Sequence, residues 1–178
     1  MAEIVHLSAY RDQMAVQAGF REWHRRFGQQ FDARTRLNDL SPATLLALAE
    51  PGEAGTNLFY GLIIGFMGHG PRRTFDSLDT PTQLRVVDIH LFLADQVRFE
   101  MMRRLGWLAR YGATQYGLFD MVRRFDDVQL ACRQDPPVLA PSHPAHPEYA
   151  ALTHRDRDVF IRRLLPSALD RFQARFGV

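Results

Sequence analysis

The chain has 178 residues, of which 46% are hydrophobic and 11% aromatic, as expected for one domain with a single core. Its 22 basic residues and 20 acidic residues give a formal charge of +2, which does not favour nucleic-acid binding. Every basic residue is arginine. This excludes a Schiff-base lysine, a pyridoxal-phosphate anchor and a Walker-type phosphate lysine.

The single cysteine and the hydropathy of the chain indicate the cellular compartment in which the protein functions. Cys132 is the one cysteine, so the chain alone has no disulfide, thiolate zinc site or iron–sulfur site, which favours a reducing compartment. The first ten residues lack a signal-peptide pattern, and the apolar run Leu58 to Gly68 is too short to span a bilayer. We predict a cytoplasmic protein without membrane contact, and the arginine bias, typical of a GC-rich genome, suggests a bacterial source.

Helical signals begin near the amino terminus. Ser8 can cap a first helix that has its apolar residues on one face. These residues are Val16, Phe20, Trp23, Phe27 and Phe31. Ser41-Pro42 opens a short second helix, which Pro51-Gly52 closes.

The next helix, beginning near Gly55 or Thr56, contains Gly61, Gly65 and Gly68. Three helical glycines cost roughly 3 kcal/mol relative to alanine, and on a helix these positions fall within about 60° of one another. We therefore predict a bare strip enclosed by another body. The candidates are a helix of the same chain, a helix of another subunit, or a flat ligand; the long helix beginning at Pro81 is the natural partner.

That long helix has a threonine cap at Thr80 and ends near Leu105, before Gly106. His90 lies in its apolar face, where it is either a core histidine bonded to a backbone carbonyl or part of a ligand pocket. Asp88 and Asp95 share the opposite side. We expect both carboxylates to face arginines of another helix or subunit; a two-carboxylate metal or acid–base site is the alternative.

The remaining chain predicts a helix from Ala113 to Cys132 and a last helix capped by Thr153, kinked or split at Pro166. Prolines fill the segment between them, residues 136–149, which predicts an extended polyproline II strap over the chain's own core or in a partner's groove. Its spacing would set His143 and His146 roughly 9 Å apart, too far for one metal ion. Apart from a short strand near Ile4 to Leu7, no alternating pattern indicates a strand.

The fold prediction is all-α: one domain, residues 1–178, forming an irregular bundle of about five to seven helices, with the Pro-rich extended strap before the C-terminal helix. A basic-aromatic patch of the kind that binds nucleic acid is suggested by Arg103, Arg104 and Trp107. An arginine-rich helix end explains the same residues. No catalytic residue, metal ligand or cofactor motif is assigned, so the sequence does not establish an enzyme.

Two functions fit these features. The first is a non-enzymatic interaction protein, a homo-oligomer or small subunit of a bacterial assembly, that packs closely through the glycine face. The second is a binding protein or enzyme for a flat or anionic small molecule, held between the glycine helix and the helix of His90. The candidate ligand-binding residues are Gly61, Gly65, Gly68, His69, Arg72, Arg73 and His90.

Overall fold

The computed structural model describes residues 7–70 and 72–177, and the predicted all-α class is confirmed within them. The helices are α1 (Leu7–Phe27), α2 (Pro42–Ala49), α3 (Glu53–Phe66), α4 (Thr80–Arg104), α5 (Leu118–Arg123), α6 (Phe125–Gln134), α7 (His146–Ala150) and α8 (His154–Phe176). A two-stranded ribbon consists of β1 (Leu108–Arg110) and β2 (Val138–Leu139). Buried side chains from α1 to α8 form one hydrophobic cluster.

Helices α1 and α3 approach so closely that neither can carry a side chain where they meet. A Cβ on Gly65 would lie 2.3 Å from the backbone nitrogen of Gly19, and a Cβ on Gly19 would clash with the ring of Phe66. One turn further along α1, the Trp23 indole donates a hydrogen bond to the Leu58 carbonyl at 3.1 Å. The glycine at position 65 therefore fixes the distance between two helices of the same chain.

The expected strip of three glycines does not form. Gly61 is exposed with no heavy atom within 4 Å of a built Cβ, and Gly68 lies beyond the end of α3 with φ +79°. Gly68 ends the helix because its left-handed backbone suits glycine, and its N–H donates to the Gly65 carbonyl. The helix packed on Gly65 is α1 rather than the helix beginning at Pro81.

Helix α4 is central, contacting α2, α3, α8 and β1. Its cap is Asp79, whose carboxylate accepts from the Thr82 N–H at 2.9 Å, so the cap lies one residue before the predicted Thr80. As predicted, the helix ends just before Gly106, which has φ +76°. Helix α4 is long enough, at 25 residues, to contribute to two separate sites along its length.

A buried carboxylate organises the end of α4. Glu100 is fully buried and accepts hydrogen bonds from both Arg103 and Arg104 and from the Tyr111 hydroxyl at 2.8 Å. Arg104 also donates to the carbonyls of Leu37 and Asn38. Burial raises the pKa of Glu100, but the hydrogen bonds from these donors outweigh it and leave the pKa below its ordinary value. Arg103 and Arg104 therefore hold the fold together at this point.

Three predicted elements need correction, and a fourth lies almost wholly outside the described residues. The helix expected from Ala113 to Cys132 is a 3₁₀ turn, Gly112–Gln115, followed by α5 and α6, which are separated at Arg124 (φ −117°, ψ 36°). Pro166 does not split α8, which runs through it. Ser8 lies inside α1 rather than capping it. Of the predicted strand near Ile4, only Leu7 falls within the described residues, and it is helical.

The Pro-rich segment packs on the chain's own core but is not an extended strap. Val138 and Leu139 pair with β1, turns follow, and residues from His146 form the short helix α7. His143 lies against the Trp107 ring, with centroids 4.9 Å apart, and its Nδ1 accepts from the Ala145 N–H. Two- and three-residue strands are too short to show the alternation by which a sequence indicates a strand.

Candidate ligand-binding cleft

A cleft of about 710 Å³ lies between α4, α6 and α8. This volume falls within the range of small-molecule sites. Aromatic side chains of Phe92, Phe99 and Phe125 line it together with charged and amide groups. The remaining lining residues are Arg85, Asp88, Leu91, Asp95, Gln96, Gly112, Asp126, Gln129, Cys132, Arg133, Asp135, Pro136, Pro137, His154, Arg155, Asp158 and Arg162.

An ion-pair network joins α4 to α8 across the cleft. Asp95 accepts hydrogen bonds from Arg162 of α8 and from Arg98 of its own helix, and Arg162 also donates to Asp158 at 2.9 Å. Burial lowers the pKa of Arg162, but hydrogen bonds to Asp95 and Asp158 raise it more, so the guanidinium stays charged. The prediction that Asp95 faces an arginine of another helix is confirmed.

A second pair joins α4 to α6. Arg85 donates two hydrogen bonds of 2.7 Å to Asp126, and its guanidinium lies 4.7 Å from the centroid of Phe125. The hydrogen bond to Asp126 raises the pKa of Arg85, and the same bond lowers that of Asp126. Asp88, predicted to face an arginine, is exposed and has no ion pair within the described part of the chain.

Gln96 lines the cleft from α4 and is only 6% exposed. Among residues 7–70 and 72–177, no group forms a hydrogen bond with its side-chain amide. Although the residue as a whole is largely buried, its amide oxygen and nitrogen are not enclosed by protein and open onto the cleft. Solvent or a ligand in the cleft can therefore form hydrogen bonds with both atoms.

Two cations that line the cleft lack a carboxylate partner among the described residues. Arg133 belongs to α6 and Arg155 to the first turn of α8, and both are exposed. Asp135, which also lines the cleft, is paired with Arg110 outside it. Arg133 and Arg155 are therefore the two guanidiniums of the lining that no carboxylate of the described residues pairs with.

Cys132 lies in the same wall but is a poor nucleophile. Burial first, and the Asp135 carboxylate second, raise the pKa of its thiol to about 11, so the thiol is protonated at neutral pH. The backbone is also crowded there, because a Cβ on Gly112 would meet the Asp135 carbonyl at 2.9 Å. The arrangement suits binding better than thiol chemistry.

The residues that the sequence nominates for ligand binding are spread over separate parts of the molecule. His69, Arg72 and Arg73 are exposed, and Gly65 and Gly68 border a different hollow of about 570 Å³ between α1 and the end of α3. Pro71, part of the same predicted segment, lies outside the described residues.

His90 lies between α3 and α4, against the rings of Phe59 and Tyr60, with centroids 5.0 and 5.3 Å away. Its contacts are aromatic, and no hydrogen bond to a backbone carbonyl is present in the described structure. Burial, followed by the charge of Arg98, lowers its pKa. His90 does not line the cleft that contains Gln96.

The sequence signal for Gln96 is an amide on a helix buried on several sides, with Phe92 four positions before it and Phe99 three positions after it. This signal is weak, because only the partners of an amide distinguish an open cleft from a satisfied core position. Arg133 and Arg155 carry no distinguishing sequence signal, since both belong to helices rich in exposed charge.

Metal binding and membrane insertion find no support in the described residues. These residues contain no group of three or more His, Cys, Asp or Glu side chains placed to hold a metal ion. Nor does any helix within them combine the length and apolarity needed to cross a membrane.

No family model, curated protein or solved structure matches this chain. The geometry of the cleft is therefore the basis for a functional assignment.

Proposed function

We propose that this chain is a cytoplasmic binding protein for a small molecule that occupies the cleft between α4, α6 and α8. The observation that carries the proposal is Gln96, a largely buried residue whose amide opens onto the cleft and has no hydrogen-bond partner among the described residues. A ligand that takes the place of solvent at this amide would gain two hydrogen bonds that fix its orientation. The reducing compartment rests on the single cysteine.

The composition of the cleft suits a polar ligand. Charged and amide side chains make up most of its lining, and Phe92, Phe99 and Phe125 add some apolar surface. Such a lining can pair with a small molecule that carries several hydrogen-bonding groups. The ion pair between Arg162 and Asp95 fixes one wall, so that little has to reorganise when a ligand enters.

The test is ligand capture followed by a variant comparison. Native mass spectrometry of freshly purified protein should show a retained molecule, or at least one compound of a metabolite library should raise the melting temperature of the protein. Gln96→Met has nearly the same shape but no amide, so it should abolish the ligand-induced shift. Gln13→Leu, an exposed glutamine of α1 outside the cleft, is the control and should keep the shift.

An apo mass together with no thermal shift in the library would count against the proposal. So would a ligand that binds equally well to the wild type and to Gln96→Met, because the amide would then have no part in recognition.

Self-association or docking to another subunit is the second candidate function. Leu7, Tyr10 and Met14 are spaced by three and four residues on α1 and are 68%, 55% and 48% exposed. An apolar row of this kind commonly contacts another protein. Sedimentation should show an oligomer that Tyr10→Asp/Met14→Asp converts to monomer; a wild-type monomer that captures no partner would exclude this function.

A further inference from the structure

The chemistry of the cleft also specifies a ligand class, an inference that rests on the proposed function above. We propose that the cleft takes a small planar molecule that has adjacent hydrogen-bond donor and acceptor groups on one edge and carries an anionic substituent. The edge would pair with the Gln96 amide, and the anion would lie against Arg133 and Arg155.

The amide of Gln96 selects the edge. A glutamine side chain presents a carbonyl acceptor beside an NH₂ donor in one plane, so its best complement is a flat edge with a donor beside an acceptor. Purine edges and cyclic amides have this pattern, and glutamine pairs with adenine in this manner. Because the Gln96 amide opens onto the cleft and has no hydrogen-bond partner among the described residues, both of its hydrogen-bonding groups are available.

Two guanidinium groups that lie over phenylalanine rings in the cleft favour a flat molecule. Phe99 lies under the Arg162 guanidinium at 5.7 Å and Phe125 under that of Arg85 at 4.7 Å. Both guanidiniums are held in place by carboxylates, Asp95 and Asp126. Guanidinium planes and aromatic rings both stack on planar heterocycles.

Charge then sets the orientation of the ligand. Arg133 and Arg155 have no carboxylate partner among the described residues, and Arg155 lies in the first turn of α8, a helix of 23 residues. The Thr153 hydroxyl already caps this helix end and Asp156 places a carboxylate in its first turn, so the guanidiniums of Arg133 and Arg155 would supply the attraction for an anion.

The opposite charge lies elsewhere in the cleft. Asp88, also without an ion pair in the described structure, is on α4 beside Arg85, whose own charge is taken by Asp126. An anionic substituent would be repelled there and attracted to Arg133 and Arg155. The Gln96 amide and these two cations are therefore the two points at which the cleft would recognise the ligand.

Calorimetric titration with a matched set of probes tests this inference. The set contains purine and pyrimidine nucleoside 5′-monophosphates, the corresponding nucleosides, phenyl phosphate, which lacks the edge, and a pyrimidine carboxylate, which replaces phosphate by carboxylate. The anionic heterocycles should bind at least about tenfold more tightly than their nucleosides and than phenyl phosphate. The carboxylate and phosphate probes distinguish which anion the site prefers.

Variants separate the two parts of the recognition. Arg133→Gln/Arg155→Gln should weaken the anionic probes about 10- to 100-fold and leave the nucleosides almost unchanged. Arg163→Gln/Arg171→Gln removes two exposed arginines of α8 outside the cleft and should change neither. Gln96→Met should weaken every probe that has the edge.

Equal affinity for nucleosides and monophosphates, with both weakened by Gln96→Met, would overturn the anionic part while the proposed function stands. Failure of every probe to bind the wild type overturns the ligand class. If a library compound of other chemistry still binds through Gln96, the proposed function survives that failure; if none does, both fall.

Discussion

Gln96 and Glu100 lie one turn apart on the same side of α4, and both are buried, at 6% and 0% exposure. Glu100 is surrounded by donors from Arg103, Arg104 and Tyr111, whereas Gln96 has no hydrogen-bond partner among the described residues. Burial alone therefore does not separate a polar residue that holds the fold together from one available to a ligand. The count of hydrogen-bond partners does.

The difference follows from what packs on each turn of the helix. At Glu100 the chain turns back through β1 and brings Tyr111 over the helix, while Arg104 ties the same point to the carbonyls of Leu37 and Asn38. At Gln96 the neighbouring elements are α6 and α8, which stand apart and leave the cleft. One helix thus carries a closed polar cluster and an open polar site within a single turn.

Removing the charge of Glu100 is the strongest test of the closed cluster. Glu100→Gln keeps the shape but leaves Arg103 and Arg104 without an anionic partner, so the free energy of unfolding should fall by about 3–5 kcal/mol. Chemical denaturation followed by circular dichroism measures it. Asp126→Asn, which breaks an exposed pair with Arg85, is the matched control and should cost far less stability, because solvent screens the pair. Equal losses would contradict the distinction between the two sites.

Tyr111 tests the cluster one hydrogen bond at a time. Tyr111→Phe removes the hydroxyl that donates to Glu100 at 2.8 Å and changes little else, so it should destabilise the fold by about 1.5–3 kcal/mol. Tyr116→Phe, a half-buried tyrosine whose hydroxyl forms no hydrogen bond in the described structure, should cost less. A Tyr111→Phe protein as stable as wild type would mean that Glu100 is satisfied by the arginines alone.

Local sequence rules predicted the helices well where the signal is short-range. The caps at Ser41 and Thr153 and the left-handed stop at Gly106 all depend on residues within one turn, and all three are present. The break at Arg124 inside a continuous apolar pattern was not predictable in this way. Helix periodicity alone continues through it, and the interruption depends on how the chain meets the rest of the fold.

The glycines of α3 show why the site was harder to predict than the fold. The energetic cost and the spacing of these glycines indicate that a neighbour packs against them, and Gly65 does contact α1. The same sequence pattern includes Gly61, which is exposed, and Gly68, which ends the helix. What packs on a helix face is a long-range property of the fold. Gln96 was missed for the same reason, since its environment comes from α6 and α8, far away in sequence.

The open site should be far less sensitive to substitution. Gln96→Met fills nearly the same space and breaks no hydrogen bond within the described residues, so in the absence of ligand the free energy of unfolding should change by less than about 1 kcal/mol. Denaturation of ligand-free protein measures it. A clear loss of stability would show that the amide has a structural partner and would break the comparison with Glu100.

His90 is a third side chain of α4 whose surroundings can be tested, and it titrates. Its ring is half-buried against Phe59 and Tyr60. Its folded-state pKa is lowered from 6.5, by burial first and Arg98 second, so the unfolded chain binds the proton more readily. Stability should therefore fall as pH drops from 7 through 6.5 and below. His90→Phe keeps the aromatic packing and should flatten this slope, the smallest effect of the four. His143, whose pKa burial also lowers, should leave a residual slope in the variant. Identical slopes in His90→Phe and wild type would show that this histidine is not held neutral by its surroundings.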